Sequence, residues 1–422
     1  MIDIEKIRKE TEKIKNALLK RMDKIDFTEL INWDDKRKTL ISKSQALRTH
    51  KNEVSERIPS LQNEEKMKCI EEMKNVVKQI KILDADISDF ERKIKAFMDE
   101  LPNIPDDDVP AGGKENNKAI REWGNKPEFS FEPENHVDLA TRLGLIDYER
   151  GVKMGGKGFW LYKGTGALME WALLNYFIEE HINDGYEFVL PPHILNQKCG
   201  YTAGQFPKFA DDVFHLADEE GKRSAHFLMP TAETALVNFY RDEILREDQL
   251  PTKLFAYTPC YRKEAGSYRT EERGMIRGHQ FNKVEMFQYV RPEDSDAALE
   301  ELIEKAEKLV QGLSLHYRVS KLSAKDCTSS MAKTYDIEVW IPSMNEYKEI
   351  SSASNARDFQ ARRGNIKFKR NGKIEFVNTL NASGLATSRL LPAILEQFQQ
   401  KDGSVIVPDI LKKRIGKDVL TL

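Results

Sequence analysis

Residues 255–290 read FAYTPCYRKEAGSYRTEERGMIRGHQFNKVEMFQYV, and this stretch decides the fold class. Its two ends, 255–261 and 283–290, are rich in β-formers, and a polar loop bounded by glycines lies between them, which predicts two strands joined as a hairpin. A third run of this kind lies at 334–341. Because such runs alternate with helical patterns without a regular βαβ rhythm, we expect an α+β domain whose antiparallel sheet is flanked by helices.

The first hundred residues have a different pattern, in which apolar residues recur at helical spacing. From residue 40 to residue 61 they recur every seven positions, and from 69 to 97 the spacing alternates between four and three. This heptad pattern predicts an antiparallel coiled-coil hairpin whose second helix covers about residues 64–100. The segment 101–113 (LPNIPDDDVPAGG) follows, and its prolines and glycines predict a linker between two domains.

The first helix of this hairpin is strongly basic. Residues 36–57 carry seven basic residues, against Glu53 and Glu56 as the two acidic ones. A helix of one-sided positive charge suits the phosphate backbone of a nucleic acid. A heptad seam suits a dimerisation coil equally well, so the spacing by itself leaves both interpretations open.

The overall composition excludes several classes of protein. The 422 residues include 66 basic and 69 acidic ones, a net charge of −3, which excludes a globally basic nucleic-acid coat. No run of about 18 apolar residues exists, so no transmembrane helix is expected, and the first residues lack the apolar stretch of a signal peptide. Four cysteines without a CxxC pair indicate reduced thiols in a cytoplasmic protein.

One glycine-rich stretch is a decoy. Residues 151–158 (GVKMGGKG) nearly match a phosphate-binding P-loop, but Gly158 stands where Ser or Thr would hold magnesium. No hydrophobic strand precedes the stretch. We therefore interpret it as a flexible turn.

The hairpin carries the first group of residues that suits catalysis. Tyr261-Arg262-Lys263-Glu264 ends the first strand, so that Arg262 can present a planar guanidinium to a phosphate in a bidentate way. The alternative is a cross-strand surface pair of Arg262 and Glu264, which contributes about 0–1 kcal/mol.

Two further groups lie nearer the end of the chain. In Glu349-Ile-Ser-Ser352, a carboxylate and a hydroxyl on one strand face are hard oxygen ligands suited to Mg²⁺ on nucleotide phosphates. The run 381–389 (NASGLATSR) opens an apolar helix. Its small residues allow close approach of a ligand to the backbone, and Arg389 in the first helical turn can meet an anion.

Taken in this order, the motifs resemble a seryl-tRNA synthetase of the bacterial type over essentially all 422 residues. Residues 261–264 are similar to motif 2 of the class II synthetases and 382–389 to motif 3, and 167–192 resembles motif 1, which forms the dimer interface. The signatures specific to the family are 230–233, 279–285, 349–352 and 358–363. The resemblance implies an N-terminal tRNA-binding helical domain with a coiled-coil arm at residues 1–105. It implies a class II catalytic and dimerisation domain at residues 106–422.

The resemblance also implies how ATP is bound. Arg262 would hold the α-phosphate, Arg389 the γ-phosphate, and Glu349 with Ser352 the Mg²⁺; Glu264 would accept from the adenine amino group while Phe281 stacks on the ring. The catalytic set is Arg262, Arg389 and Glu349. The nucleotide-binding set is Arg262, Lys263, Glu264, Gly278, Phe281, Glu349, Ile350, Ser351, Ser352 and Arg389.

By the same resemblance, L-serine is activated to seryl-adenylate and transferred to the 3′ end of tRNA(Ser), with tRNA(Sec) as a second acceptor. A pocket that satisfies the serine hydroxyl rejects alanine, because its polar groups would otherwise stay unpaired. The expected partners are ATP, Mg²⁺, tRNA and a second copy of the chain, with no membrane. The serine-binding set is Thr231, Ala232, Glu233, Arg262, Glu285 and Ser383.

The sequence departs from the family pattern at Ala382, Thr387 and Ser388, and the loop 267–273 keeps the usual length but not the usual residues. Such departures would suit a second, specialised copy of the enzyme. Two other functions remain open: a non-catalytic tRNA-binding homologue, and a serine-activating paralogue that serves a non-translational pathway. Because adenylation depends on positioning and charge, no nucleophile–His–Asp set is needed, and His279 is expected to orient its neighbours.

Overall fold

The chain divides into two units, 2–102 and 103–422, the second of which includes Met1. The computed structural model describes residues 1–264 and 274–421. Within these ranges, no helix combines the length and the apolar character that crossing a membrane requires.

The first unit is helical, as the heptads predict. A 3₁₀ turn, Ile58–Ser60, joins its two long helices, and the second of them begins at Asn63, one residue before the predicted start. The hairpin is therefore continuous over the predicted seam. The four helices are α1 (Ile4–Lys9), α2 (Thr11–Leu18), α3 (Thr28–Arg57) and α4 (Asn63–Glu100).

The seam of the hairpin is apolar toward its tip. Met73, Val76 and Ile80 of α4 are each 7% exposed and pack against Leu47 and Val54 of α3. Burial of such side chains contributes roughly 1.5–3 kcal/mol each, and this supplies most of the stability of a hairpin.

A polar contact interrupts the same seam. Ser44 is buried and its hydroxyl donates to a carboxylate oxygen of Asp84 at 3.1 Å, while Arg48 Nη2 donates to the other oxygen at 2.6 Å. A buried polar group at a seam position favours the one register in which its partner is in reach. The contact therefore aligns α3 with α4.

The second unit is built on an eight-stranded sheet. Its order is β1-β5-β6-β7-β8-β4-β3-β2, and neighbouring strands are antiparallel except β2 and β3, which confirms the predicted α+β class. The predicted strands 255–261, 283–290 and 334–341 all lie in it. The strands are β1 (Lys118–Trp123), β2 (Glu187–Phe188), β3 (Thr252–Tyr261), β4 (Gln280–Val290), β5 (Tyr317–Lys321), β6 (Lys333–Ile341), β7 (Glu346–Arg357) and β8 (Asn378–Ala386).

Helices cover the sheet and enclose its core. The helix Ser295–Gly312 packs against β7 and β8, and the helix Thr387–Gln397 packs against β6, so the central strands are buried. The helices of this unit are α5 (His136–Arg142), α6 (Tyr148–Gly155), α7 (Thr165–Asn183), α8 (Gln197–Thr202), α9 (Glu233–Leu236), α10 (Ser295–Gly312), α11 (Phe359–Gly364), α12 (Thr387–Gln397) and α13 (Asp409–Ile415).

Short strands form small sheets at the margin of this unit. They are Ile146–Asp147 with Leu161–Tyr162, Val405–Ile406 with Val419–Leu420, His215–Ala217 with Arg223–Leu228 and Ile194–Asn196, and Ile244–Arg246 with Lys367–Arg370 and Lys373–Phe376. The strand Arg223–Leu228 contributes Phe227 to a second core cluster beside β3 and β4. The two three-stranded sheets therefore extend the core beside β3 and β4, and the two-stranded sheets add to the main core.

The interpretation of residues 151–158 as a flexible turn is wrong for its first half. Residues Tyr148–Gly155 form α6, which Asp147 caps by accepting from the Arg150 backbone N–H at 2.9 Å. Gly151 lies so close to Trp160 that a Cβ would meet its backbone at 2.5 Å. The glycine therefore serves helix packing, and the turn begins only after Gly155.

Replacing Ile80 by Ala should destabilise the helical hairpin. The side chain is 7% exposed, and loss of its buried methyl groups should lower the free energy of local opening by about 2–3 kcal/mol. Hydrogen exchange of residues 63–100 in the full-length chain measures this. Ile82→Ala is the matched control, because Ile82 is 63% exposed on the same helix. Equal exchange in the two variants would contradict the assigned seam.

Candidate active site

A cavity of ≈690 Å³ opens on one face of the large sheet and collects most of the predicted site residues. Both predicted sets, for nucleotide and for serine, contribute to its wall. The predicted residues that line it are Thr231, Glu233, Arg262, Glu264, Gly278, Phe281, Glu285, Glu349, Ile350, Ser352, Ser383 and Arg389.

Three predicted residues lie outside the described wall of the cavity. Lys263 is exposed beyond the end of β3, and Ala232 is fully buried where α9 begins. Ser351 donates its hydroxyl to the backbone oxygen of Ser383 at 2.7 Å and so ties β7 to β8. The loop 267–273, whose residues depart from the family pattern, is outside the described residues.

A β-bulge brings the two predicted magnesium ligands to one face. In a regular strand Glu349 and Ser352, three residues apart, would point to opposite faces. In β7 the register against β6 shifts, so that Ile350 is the extra residue while Glu349 lies opposite Glu338 and Ser352 opposite Asp336. Both side chains therefore line the cavity.

A second irregularity sets the end of β8. Lys283 of β4 lies opposite Ala386, and Glu285 lies opposite Ser383, so β8 has one extra residue at this point. Within the extra turn Leu385 has φ +81°. Gly384 lies against the buried imidazole ring of His181 on α7, and a Cβ at position 384 would be 2.2 Å from Nε2 of that ring. The bulge thus presents Ser383 to Glu285.

Arg262 is held by the hairpin at the cavity wall. Its Nε donates to the Pro230 carbonyl at 3.2 Å, and its backbone N–H donates to the His279 carbonyl at 2.9 Å. The guanidinium carbon lies 5.2 Å from the centre of the Phe281 ring. His279 Nδ1 lies 3.1 Å from the Arg262 carbonyl oxygen, which agrees with the expected orienting role of this histidine.

Arg389 and Glu349 form the second charged contact of the wall. Arg389 Nη1 donates to the Glu349 carbonyl at 2.7 Å and to its carboxylate at 3.3 Å, and Nε donates to the Ile276 carbonyl at 3.1 Å. Burial acts to raise the pKa of Glu349, but Arg389 and Arg262 hold that pKa below its ordinary value. Glu349 is therefore an ionised carboxylate suited to a divalent cation.

The predicted serine pocket holds a connected set of polar side chains. Lys283 Nζ donates to the Thr231 hydroxyl at 2.6 Å, and it also contacts the carboxylate of Glu285. Glu233 accepts from Gln360 Nε2 at 2.7 Å. Burial, and then the nearby charge of Glu285, raise the pKa of Glu233 to about 7.

Several wall residues were missed by the sequence reasoning. Lys283 lies two residues from both Phe281 and Glu285 along β4, so all three share one face of the strand. This period of two was a signal in the sequence that Lys283 belongs to the site. Asp336 and Glu338 line the cavity together with Thr334, so the same period of two along β6 was a signal for them as well. Burial, and then the charge of Glu349, hold the pKa of Asp336 well above its ordinary value.

A buried polar network supports the site from behind. Glu170 of α7 accepts from Asn282 Nδ2 at 2.7 Å and from the Thr387 hydroxyl at 2.6 Å. Asn282 is the neighbour of Phe281 on β4, and Thr387 begins α12, which carries Arg389. Thr387 is one of the departures from the family pattern, and here it joins α7 to the helix of motif 3.

The class of the protein follows from comparison of this fold with known domains. Residues 214–398 match the core domain of the class II tRNA synthetases for glycine, histidine, proline, serine and threonine. Residues 1–105 match the seryl-tRNA synthetase N-terminal domain. The fold and the enzyme class are thus those of a class II aminoacyl-tRNA synthetase.

Whole-chain relatives narrow the class to one family. The chain is 63% identical over 428 residues to serine–tRNA ligase 2 of Clostridium acetobutylicum, and 46% identical over 428 residues to serine–tRNA ligase of Thermodesulfovibrio yellowstonii, with 100% of each chain covered. The crystal structure of seryl-tRNA synthetase from Pyrococcus horikoshii complexed with ATP is 33% identical with a TM-score of 0.92, covering 100% of this chain and 99% of that one. The chain belongs to the seryl-tRNA synthetase family, which confirms the resemblance.

Replacing Thr387 by Val should destabilise the second unit by about 1–3 kcal/mol, because a buried carboxyl group loses a donor. Burial raises the pKa of Glu170. The Thr387 hydroxyl acts against this rise by stabilising the ionised carboxylate, so its removal raises the folded-state pKa further. A carboxyl group whose folded-state pKa is raised contributes stability that is complete below its unfolded pKa and decreases as pH rises through the folded-state pKa. The loss caused by Thr387→Val should therefore grow with pH in urea unfolding. Thr141→Val, at an exposed helix position, is the control. A loss independent of pH would contradict this account.

Proposed function

We propose that this chain activates L-serine with ATP and transfers the seryl group to the 3′ end of tRNA(Ser), as a cytoplasmic homodimer. The observation that carries the proposal is that a single cavity holds both the residues expected to bind ATP and those expected to bind serine. Membership of the seryl-tRNA synthetase family supports the same reaction. The four cysteines are free thiols, as suits the reducing cytoplasm.

The adenylation step requires positioning more than acid–base chemistry. A serine carboxylate oxygen forms a bond to the α-phosphorus while the bond to the leaving pyrophosphate oxygen breaks. Arg262, fixed by the Pro230 carbonyl, holds the α-phosphate and stabilises the charge that develops on it. Arg389 holds the γ-phosphate. In the second step a terminal ribose hydroxyl of the tRNA attacks the seryl carbonyl and AMP leaves.

Glu349 and Ser352 are the proposed ligands of Mg²⁺. The bulge at Ile350 brings their oxygens to one wall, and the depressed pKa of Glu349 keeps its carboxylate ionised. This donor set of hard oxygens fits Mg²⁺ that is also bound to nucleotide phosphates. When bound, the ion neutralises phosphate charge.

Serine is recognised at the other end of the cavity. Thr231 and Glu285 lie near the proposed ammonium and hydroxyl positions, and Ser383 lies opposite Glu285 across the strands. Alanine would leave these groups without a partner, and that unmet hydrogen bonding opposes its binding. The retained ATP-binding residues disfavour a non-catalytic homologue, which has no need of them.

The homodimer is proposed from an apolar surface on the motif 1 segment. Leu168, Trp171 and Ile182 of α7 are 52–53% exposed, and Leu190 beyond β2 is 73% exposed. Large apolar side chains clustered in sequence on one surface element are typical of a protein interface. A second copy of the chain would bury them.

The helical unit is the proposed tRNA-binding domain. The cations of its basic helix differ in how well they could bind phosphate, because some of them are already ion-paired. Arg37 pairs with Asp34 at 2.7 Å, Lys38 with Glu5 at 2.7 Å, and Arg48 with Asp84 at 2.6 Å. These three cations are therefore partly neutralised within the unit. The exposed lysines of α3 at positions 36 and 43 are better candidates for phosphate contacts.

Arg262→Ala and Arg389→Ala should each abolish serine-dependent ATP–pyrophosphate exchange. Loss of one oriented donor to a developing charge costs about 3–4 kcal/mol in the transition state. Arg246→Ala is the control, because Arg246 is exposed and pairs with Asp248. Parental exchange in either active-site variant would overturn the assignment, as would absence of serine-dependent exchange in the unmodified enzyme.

The double variant Lys36→Gln/Lys43→Gln should weaken tRNA binding without changing pyrophosphate exchange. In a plot of the logarithm of the tRNA-binding constant against the logarithm of salt concentration, the magnitude of the slope should fall by about one for each lost phosphate contact. Aminoacylation of tRNA(Ser) and tRNA(Sec), assayed side by side, measures the functional loss. The control is Lys74→Gln/Lys93→Gln, which removes exposed lysines of α4 that pair with acidic neighbours. Unchanged tRNA binding together with a changed oligomeric state would favour the dimerisation coil.

A further inference from the structure

Lys283 is a buried cation in the middle of the active-site wall for which the proposed reaction has so far required no role. It lies on β4 between Phe281, expected to stack on adenine, and Glu285, expected to contact serine. Alternation along the strand directs all three to the cavity. Lys283 is 8% exposed, which is unusual for lysine unless its charge is balanced.

The ammonium of Lys283 is held by two residues of the serine pocket. It donates to the Thr231 hydroxyl at 2.6 Å and forms an ion pair with Glu285. The Thr231 hydroxyl also lies 3.4 Å from the same Glu285 carboxylate oxygen, so the three groups converge at one point. The second carboxylate of the pocket, Glu233, is instead bound to the neutral amide of Gln360.

These contacts fix the charge of the pocket. With Arg262 assigned to the α-phosphate and Glu233 ionised, two carboxylates and one lysine leave a single negative charge, and the ammonium group of an amino acid would cancel it. Buried charges are tolerated when each has an opposite partner, and an unpaired buried carboxylate takes up a proton instead. A pocket without Lys283 would hold two carboxylates for a single substrate cation.

We propose that Lys283 is a positioning residue that neutralises Glu285, so that Glu233 receives the ammonium group of serine and Glu285 is left to accept from the serine hydroxyl. This inference rests on the proposed serine-activating function and deepens it. The residue acts through the two carboxylates and does not touch the reacting phosphorus.

Electrostatic evidence agrees with this geometry. Burial and the charge of Glu285 raise the pKa of Glu233 to about 7, while Gln360, Lys283 and Arg262 act in the opposite direction. The titratable and charged groups that face Lys283 are Glu233, Glu285, Arg262, Cys260 and Glu349. Since Glu233 must be ionised to receive an ammonium, kcat/KM for serine should rise with pH through about 7.

The test is the pH dependence of serine-dependent ATP–pyrophosphate exchange between pH 6 and 8.5. In Lys283→Met the lost cation should move the midpoint of kcat/KM for serine upward by about one pH unit, which is about a fivefold higher KM at pH 7 and about a tenfold higher KM at pH 6. The KM for ATP and the kcat at high pH should stay near parental values. Lys283→Arg keeps the cation and should keep the parental midpoint.

Two further variants separate charge from packing. Lys283→Met/Glu285→Gln restores the net charge of the pocket, so its midpoint should return toward the parental pH although KM for serine stays raised. This variant removes the lysine together with its ion-pair partner, so it creates no new unpaired charge and carries the test if Lys283→Met alone fails to fold. Lys253→Met is the matched control, because it removes a strand lysine that pairs with Glu301 at 2.8 Å outside the cavity.

Each outcome decides the matter. A parental midpoint in Lys283→Met, or a raised midpoint in the charge-restored double variant, would overturn the inference while leaving the proposed function intact. A fall in kcat with an unchanged midpoint would overturn it in favour of a direct contact with the reacting groups. If the parent enzyme shows no exchange with serine, the proposed function fails and this inference fails with it.

Discussion

The site depends on one constraint, which is that the charged side chains collected on one face of the sheet must each have a close partner. Removing a charge from water costs several kcal/mol, and only a close opposite charge or hydrogen-bond donors offset it. The wall meets this requirement through a series of paired groups. The pairs are Arg389 with Glu349, Lys283 with Glu285, Gln360 with Glu233, and Arg277 with Glu264. A polyanionic nucleotide and a zwitterionic amino acid bring further charges, so binding must exchange some of these contacts for contacts with substrate.

Two strand irregularities determine which side chains take part. Without the extra residue at Ile350, Glu349 and Ser352 would face opposite sides of the sheet, and only one could reach a phosphate-bound cation. Without the extra residue in β8, Ser383 would lose its register against Glu285. The same bulge requires glycine at position 384, where the backbone lies against a buried histidine ring. Positions of strained or irregular backbone therefore coincide with positions of proposed function.

The supporting layers connect this wall to the rest of the second unit. Glu170 joins the motif 1 helix to β4 and to the helix that carries Arg389, so the segment proposed to form the dimer interface also fixes two elements that are proposed to bind ATP. A shift of that helix would move Phe281 and Arg389 together through Asn282 and Thr387. In the helical unit the corresponding role falls to Ser44 and Asp84, whose half-buried contact aligns the two long helices. In both units a polar contact specifies geometry, and apolar packing supplies most of the stability.

The sequence by itself determined the features that depend on local periodicity: the heptads of α3 and α4, the strands of the hairpin around Arg262, and the motifs that identify the family. These are readable because helical and strand periods are fixed by backbone geometry. Tertiary structure alone decided which side chains meet. Regular alternation along a strand would place Glu349 and Ser352 on opposite faces. Only the β-bulge in the pairing with β6 brings them to the same face. The sequence of the basic helix likewise suggests a series of unpaired cations, whereas in the structure Arg48 pairs with Asp84, 36 residues away. Lys283 became part of the serine pocket only when the fold brought Thr231 to β4, because burial and long-range charge pairing depend on contacts that no local pattern encodes.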